Sequence, residues 1–155
     1  MEIVTDYKVV LVVDDEVFAR LLAVQIFLDQ GFTVLEAEDA DQAIEVLDRN
    51  DDIGLLFTDI SMPGDMDGLR LIDHVGQERP WIRCIATSGR VDPNLGEIQG
   101  TARFLAKPYT AFALMEAIQR LHEIPPARNS SRGQAIRNGF DELQKDGMAE
   151  AAAAA

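Results

Sequence analysis

Three apolar runs in this chain break off into side chains that can hold a metal or handle a phosphoryl group. Val9-Val-Leu-Val-Val13 ends in Asp14-Asp15-Glu16, and Phe104-Leu-Ala106 ends in Lys107-Pro108. Between them, Ile53-Gly-Leu-Leu-Phe-Thr-Asp59 delivers one carboxylate to the head of the loop Ile60-Ser-Met-Pro-Gly-Asp-Met-Asp-Gly68. Carboxylates at Asp14, Asp15 and Asp59, if brought close together, repel one another unless a cation sits among them. An oxygen-only set of this kind suits Mg²⁺, which keeps several waters and shares its remaining positions with phosphate. No His or Cys lies near these acids in sequence, so zinc is not expected. A carboxylate can also attack phosphorus to give an acyl phosphate. Phosphoryl transfer then needs little beyond in-line placement and neutralised oxygens, which Lys107 as a point charge and the Thr87 hydroxyl could supply.

These residues need elements to position them. Lys8–Val13 is a continuous β-branched run of buried-strand type, and strands are also expected at Phe32–Ala37, Ile53–Asp59, Trp81–Thr87 and Thr101–Ala106. From Val17 to Gln30 the apolar positions Phe18, Leu21, Leu22, Val24, Ile26 and Leu28 predict a helix that stops at Gly31. Asp39 with Gln42 forms a capping-box-like start for a second helix carrying Ala43, Ile44, Val46 and Leu47. A third runs from about Leu69 to Glu78 and is ended by Pro80. Asp92-Pro93 opens a weaker one bracketed by Gly96 and Gly100. Thr110 caps the last, which carries Phe112, Leu114, Met115, Ile118 and Leu121.

Five strands alternating with five helices predict an α/β fold, a doubly wound parallel sheet covered on both faces. Ligands of such sheets bind beyond the carboxyl ends of the strands. Asp14, Asp15, Asp59, Thr87 and Lys107 all fall there.

The chain has 155 residues, enough for one ordinary core, and a net charge of −13. Residues 1–124 hold 23 acidic and 10 basic side chains, or −13, while residues 125–155 hold four of each and are neutral. A domain over 7–124 and a flexible tail over 125–155 are expected, the tail able to form a short amphipathic helix through Ile136, Phe140 and Leu143. The acidity argues against a nucleic-acid backbone or an anionic membrane as direct partner. Cys84, alone and in the apolar setting Trp81-Ile-Arg-Cys-Ile-Ala86, reads as a small core residue. No leader and no apolar run near the roughly 18 residues of a bilayer span is evident, so a cytoplasmic protein is expected.

Taken in order, Val12-Val-Asp-Asp15, Thr58-Asp-Ile-Ser-Met-Pro63 with Met66-Asp-Gly68, Ala86-Thr-Ser88 and Leu105-Ala-Lys-Pro108 resemble the receiver domain of bacterial two-component response regulators. The resemblance covers about residues 7–124. It implies a (βα)5 flavodoxin-like fold with strand order 2-1-3-4-5, and a phosphoprotein of the stand-alone type that signals through a changed protein-binding surface. Asp59 matches the phosphoacceptor, taking its phosphate from a phosphohistidine on a sensor histidine kinase or histidine phosphotransfer protein. Asp15, Asp59 and the backbone carbonyl of Ser61 match the direct Mg²⁺ ligands, and Asp14 the acid that acts through bound water. Lys107 matches the family's lysine, with a cis Lys107–Pro108 bond expected.

Thr87 and Phe104 match the switch pair, and Leu95–Leu121 the output face, which is also where a homodimer would form through the fourth helix, fifth strand and last helix. The downstream protein is not specified by the resemblance. Two features depart from the common pattern: the loop from Pro63 to Asp67-Gly68 is one residue longer, and small residues, Ser61 and Gly89, flank the expected path of attacking water. A dehalogenase-like phosphatase would want a second Asp where Ser61 stands. A flavin carrier would want phosphate donors where Asp14-Asp15-Glu16 stand.

Overall fold

The structure is a computed structural model that describes residues 5–89 and 102–122. In chain order its elements are β1 (Val9–Val13), α1 (Val17–Asp29), β2 (Thr33–Ala37), α2 (Ala40–Arg49), β3 (Leu55–Asp59), α3 (Gly68–Glu78), β4 (Arg83–Ser88), β5 (Ala102–Ala106) and α4 (Ala111–His122). The strands form one parallel sheet in the order β2-β1-β3-β4-β5, which is the flavodoxin-like arrangement expected. The helix expected after Asp92, the residues Leu95 and Thr101, and the tail from Glu123 onward lie outside the described residues.

Strand periodicity sorts the core into two layers. Along β1, Leu11 and Val13 face one side of the sheet and Val10 and Val12 the other, as the two-residue repeat of a pleated strand requires. The first layer joins Leu11, Val13, Leu56 and Cys84 to Ala43 and Leu47 of α2 and Leu71 and Val75 of α3. The second joins Val10, Val12, Phe57 and Ile85 to Ala23, Ile26 and Phe27 of α1 and Leu114, Ile118 and Leu121 of α4. Both faces of β3 are therefore buried, which is why it reads as an unbroken apolar run. Cys84 is a buried core residue, and burial pushes its thiol up to about 12.

Two helices leave some of their large apolar residues in solvent. The stretch over 17–28 is apolar almost all round, so its pattern does not choose a face. The sheet selects Ala23, Ile26 and Phe27, because Phe27 fills the space between Phe32 and Phe57, edge-on to both at centroid distances of 5.4 Å. Phe18, Leu21, Leu22 and Leu28 are left outside, Phe18 being 82% exposed. On α4, Leu114, Met115, Ile118 and Leu121 are buried as expected, whereas Phe112, one turn ahead of them, is 67% exposed.

Caps fix the ends. Asp39 accepts from Gln42 N at 2.8 Å, and the Gln42 side chain accepts in return from Glu38 N at 2.6 Å. The Thr110 hydroxyl accepts from Ala113 N at 3.1 Å. Helix α1 closes with Phe32 N donating to Phe27 O and Gly31 N to Leu28 O, a Schellman closure that puts Gly31 at φ 85°. A side chain at that φ costs about 1–2 kcal/mol. Gly31→Val is therefore expected to lower the unfolding free energy by about that amount, read as a shift in urea midpoint at unchanged m value; no shift would mean the closure is not a constraint.

Candidate functional site

Sheet register brings the chemistry together. Val13 lies opposite Thr58, Asp59 opposite Thr87, and Ser88 opposite Ala106, so the next residue out from each strand meets its neighbours at one edge. That edge is beside β1 and β3, where the strand order reverses. Carboxylate oxygens of Asp14, Asp15 and Asp59 all lie within 4.8 Å of one another there. Asp14 and Asp59 are buried and Asp15 is exposed. Lys107, joined to Pro108 by a cis bond, reaches across the sheet end, its Nζ 3.0 Å from Asp14 Oδ2 and 3.2 Å from Asp59 Oδ2.

Backbone donors hold the other oxygens. Ser61 N donates to Asp59 Oδ1 at 3.2 Å, and Glu16 N to Asp14 Oδ1 at 2.9 Å, so Asp14 also caps the turn that leads into α1. The Ser61 contact is through its amide. Thr87 is fully buried, and its hydroxyl has no hydrogen-bond partner among the described residues, an unusual state for a buried polar atom. Phe104 is half-buried on β5, opposite Ala86 and one register step from Thr87, and packs against the first core layer.

The charges do not balance evenly. Burial raises the Asp59 carboxyl pKa above its ordinary value of 3.8; Lys107 pulls it back, and the Asp14 charge pushes it up again. For Lys107, burial works to lower the pKa, but its hydrogen bond and charge attraction to Asp14, then those to Asp59, outweigh burial and hold the ammonium above its ordinary value. One lysine is thus charged and firmly held, yet it does not neutralise three acids. The donor set is hard, all oxygen and partly open through Asp15, and it fits a small divalent cation such as Mg²⁺.

Four residues have roles here that the sequence did not assign. Arg20 donates from Nη1 to Asp14 O at 2.7 Å and from Nε to Glu36 Oε1 at 3.2 Å, with Glu38 at 3.8 Å. It ties the acid-bearing turn to the end of β2. Its signal was faint, because Glu36 and Glu38 become its neighbours only once β1 and β2 pair. Gly68 begins α3 so close to Asp59 that a Cβ there would lie 2.0 Å from the Asp59 carbonyl oxygen. Asp67, read as a loop residue, caps α3 by accepting from Arg70 N at 2.9 Å. Tyr109 packs edge-on to Phe57 at 5.8 Å, and burial pushes its hydroxyl up to about 12. In the loop between Asp59 and α3, Gly64 takes φ 105°, a region that favours glycine.

A doubly wound parallel sheet with acids and a lysine at its carboxyl edge is the architecture of a signalling receiver. Sequence comparison makes the class specific: the chain belongs to the response regulator receiver domain family, whose model matches residues 10–119. It is 34% identical over 115 residues to the chemotaxis protein CheY of Bacillus subtilis, covering 72% of this chain and 94% of that protein. It is 31% identical over 143 residues to the transcriptional regulatory protein CpxR of Escherichia coli K12, covering 91% of this chain but only 59% of CpxR. Among solved structures, the CheX-CheY-BeF3-Mg²⁺ complex of Borrelia burgdorferi contains a chain similar to this one at 27% identity and a TM-score of 0.66, covering 73% of this chain and 87% of that one. Receivers are signalling domains, and no helix among the described residues is long and apolar enough to cross a membrane.

Two measurements check the electrostatics. Because the folded pKa of Asp59 lies above its unfolded value, the stability tied to its protonation is complete below about 3.8 and is lost as pH rises through the folded value. In metal-free buffer, Asp59→Asn, which leaves Lys107 its Asp14 partner, should gain on wild type in urea midpoint as pH rises from acid toward neutral; parallel curves would refute the assignment. Arg20→Ala should cost about 1–3 kcal/mol in urea unfolding through lost charge-assisted hydrogen bonds, with Arg20→Lys recovering only part because it lacks the fork.

Proposed function

We propose that this receiver accepts a phosphoryl group on Asp59 from a phosphohistidine, on a sensor histidine kinase or a histidine phosphotransfer protein, and acts in the cytoplasm by presenting a changed surface to a downstream protein. The observation that carries the reading is the meeting of Asp14, Asp15 and Asp59 within 4.8 Å, with Lys107 bridging two of them. A carboxylate oxygen of Asp59 forms the bond to phosphorus as the phosphorus–nitrogen bond to the donor histidine breaks, and the imidazole leaves with its electron pair. Lys107, now shared between Asp14 and Asp59, is placed to pair with a phosphoryl oxygen as the negative charge on Asp59 moves outward. The amide of Ser61, which donates to Asp59 Oδ1, orients the carboxylate.

Asp15, Asp59 and the Ser61 carbonyl would hold Mg²⁺ directly and Asp14 would do so through water; when bound, the ion supplies charge neutralisation of phosphoryl oxygens. The unpartnered hydroxyl of Thr87, on the residue opposite Asp59, is placed to turn toward the added phosphate, and Phe104 to move into the space it leaves. That movement is the proposed switch, and it would alter β5 and α4 and with them a protein-binding or dimerising face. The likeness to a CheY along 94% of its length supports a receiver that works without an effector domain of its own. The aspartyl phosphate is expected to be cleared by the domain's own hydrolysis and not by turnover of a separate substrate.

Incubation with phosphoramidate and MgCl₂ followed by intact-mass measurement is expected to add one phosphoryl group to wild type and none to Asp59→Asn. Wild-type labelling that persists in Asp59→Asn would overturn the site. Chelation of Mg²⁺ should suppress the labelling, and Lys107→Met should retain metal binding while losing most of the labelling rate.

A further inference from the structure

Helix α1 presents an apolar stripe that nothing in the described fold covers. Val17, Phe18, Leu21, Leu22 and Leu28 share one arc of the helix, opposite Ala23, Ile26 and Phe27, and all are about half exposed or more. Scattered apolar residues on a surface need no explanation, but four large ones side by side, Val17, Phe18, Leu21 and Leu22, mark an interaction site, with Leu28 beyond the exposed Gln25, which bonds Asp29. Its borders are acidic: Asp15 and Glu16 are exposed at its head and Asp29 at its foot, while the helix's single basic residue, Arg20, is engaged with Glu36 and Asp14.

We infer that the stripe is the docking site for this chain's own residues 128–143. That segment carries Ile136, Phe140 and Leu143 at i, i+4 and i+7, the spacing of one helical face. Within it Arg128, Arg132 and Arg137 precede Asp141 and Glu142, so the stretch up to Phe140 is basic where the stripe's borders are acidic, and the whole segment carries a net charge of +1. Position favours it as well. α1 and α4 pack on the same face of the sheet, so the last described residue, His122, ends a helix on the face that carries α1. The 14 residues from His122 to Ile136 can span roughly 45 Å when extended, and α1 is only about 20 Å long. A second copy of the domain fits poorly: stripe-to-stripe pairing sets Asp15, Glu16 and Asp29 against the same acids of a partner in either orientation, between two domains that each carry a large negative charge.

Docking buries Phe18 and Leu22 beneath the segment, and Gly133 and Gly139 weaken it as a free helix, so the contact is a reversible one.

Hydroxyl-radical footprinting of the full chain tests it, comparing wild type with the full-length triple variant Ile136→Asp, Phe140→Asp, Leu143→Asp. Oxidation of Phe18 and Leu22 is expected to rise severalfold in the variant, while that of Trp81, exposed just ahead of β4, stays constant as an internal reference. Equal oxidation of Phe18 in both proteins would overturn the contact. So would a protection that survives the triple substitution and fades on dilution, since a second copy would then be the occupant. Footprinting reads α1 without reference to Asp59, so the phosphoramidate labelling stands or falls separately.

Discussion

The structure turns on one ammonium group shared by two carboxylates. Lys107 lies within 3.2 Å of both Asp14 and Asp59, and through it the ends of β1, β3 and β5 are joined by charge at the edge where the sheet order reverses. Removing the lysine would leave two buried carboxylates facing each other, and an uncompensated buried charge is costly. Keeping it still leaves the cluster with more negative charge than positive. The fold therefore holds its acids in a state that a further cation, or the outward transfer of charge onto a phosphoryl group, would relieve. Stability and chemistry are set by the same few atoms.

How much of this was visible in the sequence follows from where each feature gets its cause. Strand ends were legible because a parallel sheet buried on both faces writes its strands as continuous apolar runs, and the polar residue that follows each run marks its carboxyl end. Asp14, Asp15, Asp59, Thr87 and Lys107 were all found in that way. The caps at Asp39 and Thr110 were legible for a similar reason, since they are local. What stayed hidden depends on contacts between distant segments. Arg20 acquires its role from Glu36 and Glu38 on another strand, and Gly68 from the approach of α3 to the Asp59 carbonyl.

Helix α1 shows the limit most plainly. A helix apolar on all sides offers several equivalent faces, and the choice among them is made by shape: Phe27 fits between two aromatic rings of the core, which leaves Phe18 in solvent. The surplus apolar side chains are then a property of the surface. In a domain so acidic, a stripe of this kind is also a break in a field that otherwise repels anionic partners.

Gly68 and Lys107 also fix an order of events in time. Asp14 and Lys107 are 93 residues apart in the chain, and Asp59 and Lys107 are 48 apart. On a ribosome, all three acids and the glycine that seats α3 against Asp59 emerge well before the lysine does. The nascent chain can build β1, β2 and β3, but their carboxyl edge stays an unbalanced acidic patch until β5 enters the sheet. Since β5 is the last strand in chain order, the five-stranded sheet cannot be complete before it has emerged. The site thus comes into being only with the completed domain, and a prematurely terminated chain carries the acids without the charge that organises them.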